Sequence, residues 1–402
     1  MKTVGIVSEF NPFHIGHKYL INKVKEKLNP DVIVVIMSGN FVQRGEPAIV
    51  DKWSRSKSAL LNGSNLVLEL PLPYATQNAD LFSKGSISIL NKLEIDYLCF
   101  GSEDNNLENL ISVRDYVYTT NFKKNLSEYL NLGNSYPKSY NLALSKKFDS
   151  NEILKPNNIL ALEYLKKLKE LDSNIIPFSI KRVGASYKST EIRNDYSSAT
   201  AIRKAIFKGE ILKIENSLPK ESYNELVDYI NKYNKYNSLE LFFERIKHLI
   251  ILKGPKDLKK IYDVSEGLHN RIYNLIEKSE NVSDLIASIS TKRYTYSKIS
   301  RILTNILLSL TVDFYKTIDI NDLTYLKVLA SDKVGFKFLK EKNSFDFITK
   351  YSDYKKLNKT KTDKLIFEKT KKASDIYFSS LKDKNYMNFE YLNNPYIKDI
   401  KD

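Results

Sequence analysis

Apolar positions along this chain fall into two regimes that meet near residue 208. In the first, short unbroken apolar runs alternate with stretches of helical spacing. Val4 to Val7 breaks into a polar turn, after which Tyr19, Leu20 and Val24 recur every three or four residues. Asp31 to Met37 (DVIVVIM) shows no polar alternation, as expected of a parallel strand covered on both faces. A helix is predicted over Trp53–Leu61, then a strand at Leu66–Leu70, a turn at Pro71–Pro73, a helix from about Asp80 to Leu93 and a strand at Tyr97–Phe100. Helical spacing fills 104–150 around a turn near Gly133–Pro137. NNILALEYLKKL reads as a further helix capped by Asn157 or Asn158, and Ile176–Val183 as a further strand. Repeated strand-then-helix units predict an α/β fold with a doubly wound parallel sheet and a ligand beyond the strands' carboxyl ends.

Past Lys208 and Gly209 the alternation gives way to helical spacing. LELFFERIKHLIILKG, YDVSEGLHNRIYNLIEK and KRYTYSKISRILTNILLSL each place apolar residues at i, i+3 and i+4. The expected division is therefore an α/β domain over 1–208 and a mainly α-helical one over 209–402.

Composition narrows this picture. A chain of 402 residues is too long for one ordinary core, and 42% hydrophobic with 28% charged residues is a globular balance. No apolar run nears the roughly 18 residues that span a bilayer, and the first residues lack a basic-then-apolar leader pattern, so the expected location is cytoplasmic and no membrane partner is expected. One cysteine, Cys99, lies inside an apolar run and excludes disulfides and cysteine-built zinc sites. The net charge of +15 is uneven. Residues 1–200 hold 25 basic against 21 acidic residues, and residues 201–402 hold 38 against 27. A basic second half suits a polyanionic macromolecule.

Candidate chemistry concentrates where the first strand meets the first helix. Two of the chain's four histidines, His14 and His17, flank Gly16 at that helix start. Unpaired N–H groups and the positive end of the helix dipole favour anions there, two imidazoles add donors, and glycine permits close approach. Donors preset around a phosphorus under attack lower its barrier without a protein nucleophile. Ser197-Ser198-Ala199-Thr200-Ala201-Ile202-Arg203 offers a second hydroxyl-rich helix start with an arginine one turn on, apt for outer phosphates.

The stretch GIVSEFNPFHIGHKYLI resembles the opening of the H-x-G-H nucleotidyltransferase superfamily, and EFNPFHxGH is similar to the bacterial tRNA(Met) cytidine acetate ligases. That resemblance, spread over about the first three hundred residues, implies a Rossmann-like domain. It also implies that ATP activates acetate as acetyl-adenylate, and that the acetyl group then passes to the wobble cytidine of elongator methionine tRNA. It places ATP on Val7, Ser8, Glu9, Phe10, Asn11, Pro12, Phe13, His14, Ile15, Gly16, His17, Lys18, Tyr19 and Leu20, with Gly101, Asn158, Arg182, Ser198 and Arg203. His14 and His17 would be catalytic, and Glu9 is a candidate base for acetyl transfer. Magnesium is implied by ATP, though no carboxylate cluster announces a protein-built metal site.

Gln43 and Arg44, in a glycine-bounded loop after the second strand, are expected to hold substrate or tRNA. Lys292, Arg293, Lys298 and Arg301 interleave with tyrosines along what reads as one helix face, a pattern suited to single-stranded RNA loops. The segment after Arg182 departs from the family pattern at Ser186 and Lys188. The H-x-G-H element alone would equally allow a small-molecule adenylyltransferase of cofactor synthesis, or a nucleotide-sensing RNA-binding protein.

Overall fold

The computed structural model describes residues 1–103, 105–182, 197–265, 267–357, 359–381 and 385–398. Its centre is a sheet whose first five strands are β1 (Thr3–Ser8), β2 (Val32–Ser38), β3 (Leu66–Leu70), β4 (Tyr97–Ser102) and β5 (Ile176–Lys181). They lie in the order β3-β2-β1-β4-β5, all parallel. Every residue of β2 is buried, which explains its unbroken apolar run. The crossovers are α1 (Ile15–Leu28), α2 (Lys52–Leu61), α3 (Ala79–Lys92) and α4 (Pro156–Glu170). Asp51 caps α2 through Ser54 N at 2.9 Å, and Asn78 caps α3 through Leu81 N at 3.0 Å. Val183, predicted to end the fifth strand, lies outside the described residues, as do Ser186 and Lys188.

The last quarter of the chain departs from a helical reading. β6 (Tyr325–Ser331) pairs antiparallel with β3, and β7 (Asp346–Ile348) and β8 (Tyr396–Ile397) pair parallel with β6. The sheet therefore draws on both sides of residue 208. Lys327 breaks the apolar run of β6, and its burial is compensated by ion pairing. Its ammonium meets Glu390, which also pairs with Lys52 at 2.6 Å, and Lys52 in turn holds Glu69 at 2.7 Å. Burial alone would raise the Glu390 carboxyl, but Lys327 and Lys52 outweigh it and hold it down at about 2. Removing one partner of such a buried group strands the others, so the cluster fastens the C-terminal segment to the sheet.

Between these strands run α5 (Ala199–Phe207), α6 (Phe243–Leu258), α7 (Leu268–Ile276), α8 (Val282–Ile289), α9 (Tyr296–Leu308) and, after β7, α10 (Lys361–Ser379). Their apolar faces share one interior with Phe41, Ile49 and Trp53, which belong to a hairpin (Phe41–Val42 with Glu46–Pro47), the loop after it and α2. The helical layer thus rests on the rim of the sheet. Ser300 and Thr304 of α9 each donate a hydroxyl to the Gly45 carbonyl at 2.7 Å. No helix among the described residues is long and apolar enough to cross a membrane.

Candidate active site

The chain runs from β1 outward to β3, then crosses back to β4 on the other side of β1. Beyond the carboxyl ends of β1 and β4, at this switch point, lies a cavity of about 450 Å³. A smaller cavity of about 60 Å³ adjoins it, and both are lined by His14, His17, Leu20, Gly101, Arg182 and Ser198. Among the described residues, four arginines face the larger one, Arg44, Arg182, Arg203 and Arg301, against a single carboxylate, Glu9. The excess is cationic, which suits a polyphosphate.

After β1 the backbone turns sharply through Phe10, whose φ of 48° is unusual for a residue with a side chain. The Phe10 ring meets Phe13 and His17 edge-on, each with centroids 4.8 Å apart. His14 is the N-cap of α1. Its Nδ1 accepts from Gly16 N at 3.0 Å, and His17 Nδ1 accepts from His14 N at 3.1 Å. This is a capping box built from two imidazoles, stacked with centroids 3.8 Å apart. Because each Nδ1 accepts, each Nε2 carries the proton. Burial, with Arg182 and Arg203 nearby, lowers His14 to about 3, and burial with His14 and Arg182 puts His17 well below its usual value. Both rings are neutral donors at physiological pH. Gly16 is required by this arrangement rather than by a ligand: a Cβ there would lie 2.8 Å from His14 Cε1.

The opposite wall begins at Ser198, which caps α5 through Ala201 N at 3.1 Å. Arg203 donates to the Asn11 carbonyl at 2.8 Å and lies 3.3 Å from the Glu46 carboxylate, stitching the turn after β1 to the hairpin. Glu9 accepts from Gln43 N at 2.7 Å. Burial raises its carboxyl, Arg44 opposes that and Glu46 adds to it. Arg182 donates to Asn157 Oδ1 at 3.2 Å, and its Cγ would sit 3.0 Å from a Cβ on Gly101. The bare backbone of Gly101 is thus partly covered by Arg182.

Of the residues expected to bind ATP, Val7, Ser8, Glu9, Phe10, Asn11, His14, His17, Leu20, Gly101, Arg182, Ser198 and Arg203 line the larger cavity, while Gly16 and Tyr19 line the smaller one. Pro12, Phe13, Ile15 and Lys18 line neither. Asn158 also stands away: it is buried, its Oδ1 accepting from Glu103 N at 3.2 Å and its Nδ2 donating to the Glu152 carbonyl at 3.0 Å. Asn157 faces the cavity instead. Adjacent helical positions lie about 100° apart, so Asn158, which the resemblance assigned to ATP, and its neighbour Asn157 fall on different sides of the helix.

The basic group of the second half does not share one face. Lys292 and Arg293 are exposed in a turn closed by Thr291 and Tyr294 before α9 begins, Lys298 pairs with Asp263 at 3.1 Å, and Arg301 reaches the cavity with Ser297. Gln43 and Arg44 line the same cavity. Sequence reasoning missed Phe82 and Tyr164 on its walls, and it missed Arg55. That side chain is buried and donates to the carbonyls of Glu9 at 2.6 Å, Ser38 and Val50 at 3.1 Å, and Gly39. It ties the ends of β1 and β2 together. Its signal was a charge on the buried stripe of α2, four residues before Ala59.

The family described as HIGH Nucleotidyl Transferase matches residues 1–391. A tRNA(Met) cytidine acetate ligase of Thermoanaerobacter sp. (strain X514) is 40% identical over 409 residues, covering 99% of this chain and all of that protein. One from Clostridium perfringens (strain SM101 / Type A) is 38% identical over 99% of this chain and all of its own length. Among solved structures, apo Thermotoga maritima TmcAL superposes with a TM-score of 0.92 at 31% identity, covering 99% of both chains. The same protein bound with alpha-thio ATP gives 0.90, at the same identity and coverage.

Proposed function

We infer the activity from kinship joined to geometry: the chain belongs to the HIGH nucleotidyl transferase family and, within it, to the tRNA(Met) cytidine acetate ligases. It is an ATP-dependent ligase. In the first step an acetate oxygen attacks the α-phosphorus of ATP, pyrophosphate leaves and acetyl-adenylate forms. In the second, the exocyclic amine of the wobble cytidine of elongator tRNA(Met) attacks the acetyl carbon, AMP leaves and the amine loses a proton.

The observation that carries this reading is the pair of neutral imidazole donors at the start of α1, facing a cavity of four arginines. Neutral N–H donors bind a phosphate without forming a tight ground-state ion pair, and they strengthen as charge builds on the oxygens in flight. Arg203 and the start of α5 would take the outer phosphates, Gly101, Asn157 and Arg182 the nucleoside end, and Glu9, the one carboxylate among the described residues of the cavity wall, would be the base for the second step. Arg44, Gln43 and Arg301 would receive tRNA at the open side, with Lys292 and Arg293 beyond them. The donor set does not suit a resident magnesium site, because among the described residues no three His, Cys, Asp or Glu side chains gather. Magnesium would then arrive on the triphosphate.

The test is to incubate the protein with ATP, radiolabelled acetate and total tRNA. Label in tRNA is the expected result. Pyrophosphate release only with an added mononucleotide would instead indicate a cofactor adenylyltransferase.

A further inference from the structure

Among the described residues, three polar atoms of the larger cavity's lining residues are buried and have no partner: Tyr164 Oη, Asn11 Nδ2 and Arg301 Nε. Buried donors are nearly always satisfied, so an unpartnered one on a residue of the cavity wall is a candidate contact for what binds there. Tyr164 is the deepest of the three. It is 2% exposed, and beside it stand Phe82, Phe100 and Ala161, all buried and all lining the cavity. The Phe100 and Tyr164 rings lie 6.1 Å apart. These side chains make an apolar floor that carries one donor.

We propose that this floor is the acyl subsite of the ligase reaction inferred above, on which the proposal rests, with the Tyr164 hydroxyl donating to the carboxylate of acetate and Phe82, Phe100 and Ala161 enclosing its methyl group. Chemistry and depth both select that occupant. A carboxylate needs donors, a methyl group needs apolar walls, and the floor supplies both. A cytidine on tRNA enters from solvent, where the half-buried Arg44 and Arg301 stand, and meets the open side first. The nucleotide has its own donors on the histidine side, where the smaller cavity branches off. Burial and the neighbouring Glu9 push the Tyr164 phenol well above its usual range, so it remains a donor throughout the working pH range. Glu9 would repel acetate were it alone, but Arg44 and Arg203 face it across the cavity.

Selectivity follows from the same walls. A longer acid must push its extra carbon into Phe82 or Ala161, and one added methylene changes discrimination by roughly 10–200-fold. Asn11 offers a second donor, since its Oδ1 is held by Ile49 N at 2.8 Å while its Nδ2 has no partner and the residue lines the cavity.

Acetate-dependent ATP–pyrophosphate exchange without tRNA tests the subsite. In Tyr164→Phe the acetate concentration at half-maximal rate should rise about 10- to 100-fold, as for loss of a hydrogen bond to a charged group, with the ATP requirement unchanged. A second variant, Ala161→Gly, enlarges the floor by a methyl group and should shift the propionate-to-acetate ratio upward by about tenfold or more. Equal changes for acetate and ATP in Tyr164→Phe, or an unchanged acetate requirement, would overturn the assignment. So would an unaltered acid preference in Ala161→Gly. Should the unmodified protein show no acetate-dependent exchange at all, the ligase reading itself fails, a result distinct from either variant's.

Discussion

His14 and His17 build the start of α1 and, in the proposed mechanism, supply its chemistry too, since the Nδ1 atoms that cap α1 are what turn the Nε2 protons outward. Replacing His17 by alanine removes one preset donor, so acetate activation should slow by roughly 100-fold or more in a pyrophosphate-exchange assay, with the fold retained. Near-normal exchange would remove the imidazoles from the mechanism. A second consequence is thermodynamic. His14 titrates at about 3 in the fold and at about 6.5 when unfolded, so between those values the unfolded chain binds the extra proton and stability falls as pH falls. Asparagine caps helices equally well and does not titrate. The melting temperature of His14→Asn relative to the native chain should therefore climb as pH drops from 6.5 to 4; a difference constant with pH would contradict a buried neutral imidazole. At this scale the sequence was legible where chemistry is local, as in the histidine pair and Arg203. It was not legible at Tyr164, which looks like an ordinary packing residue within its helix, and Arg301 was marked as a basic residue for tRNA without any sign that it lines the cavity.

Among the elements, the hairpin and α9 form the joint between the sheet and the helical layer. Gly45 has a φ of 73°, and a Cβ on it would stand 2.3 Å from Arg301 Cα and 2.5 Å from its N, backbone atoms that no rotamer can move. Gly45→Ala should therefore cost roughly 1–3 kcal/mol from backbone strain alone and push the hairpin off α9, displacing Arg44 and the Gln43 amide that Glu9 accepts from. Thermal melting and ATP titration should both register the change; an unaltered melting temperature with unaltered ATP affinity would mean that the joint slides freely. The strands of the first half were readable because covered strands are apolar throughout. β6 was not, because Lys327 interrupts it and the compensating Glu390 lies 63 residues further on. α9 starts later than spacing predicts, since the run from Lys292 looks helical while Thr295 is the cap, accepting from Lys298 N at 3.4 Å.

Over the whole molecule, the proposed tRNA path would meet exposed basic residues before the cavity. The surplus in residues 201–402 was plain from composition, yet its placement was not. Arg301 turned out to line the cavity and Lys298 to be paired with Asp263, which leaves Lys292 and Arg293 as the exposed pair, with the Arg293 guanidinium 5.6 Å from the Tyr294 ring. Exposed cations that meet phosphates release counterions, so tRNA affinity should fall steeply with salt. Replacing Lys292 and Arg293 by alanine should flatten the slope of log affinity against log salt by roughly one to two units, about one for each phosphate left without its cation. Acetyl-adenylate formation without tRNA should be untouched, because neither residue lines the cavity. Arg301→Ala is the contrasting variant: it should reduce adenylate formation as well as tRNA binding, since it lines the cavity that Lys292 and Arg293 do not reach. Measured together, the two variants separate surface attraction from the site. An unchanged salt slope in the double variant would move the tRNA path elsewhere, and lost adenylate formation in it would mean that the turn before α9 supports the cavity.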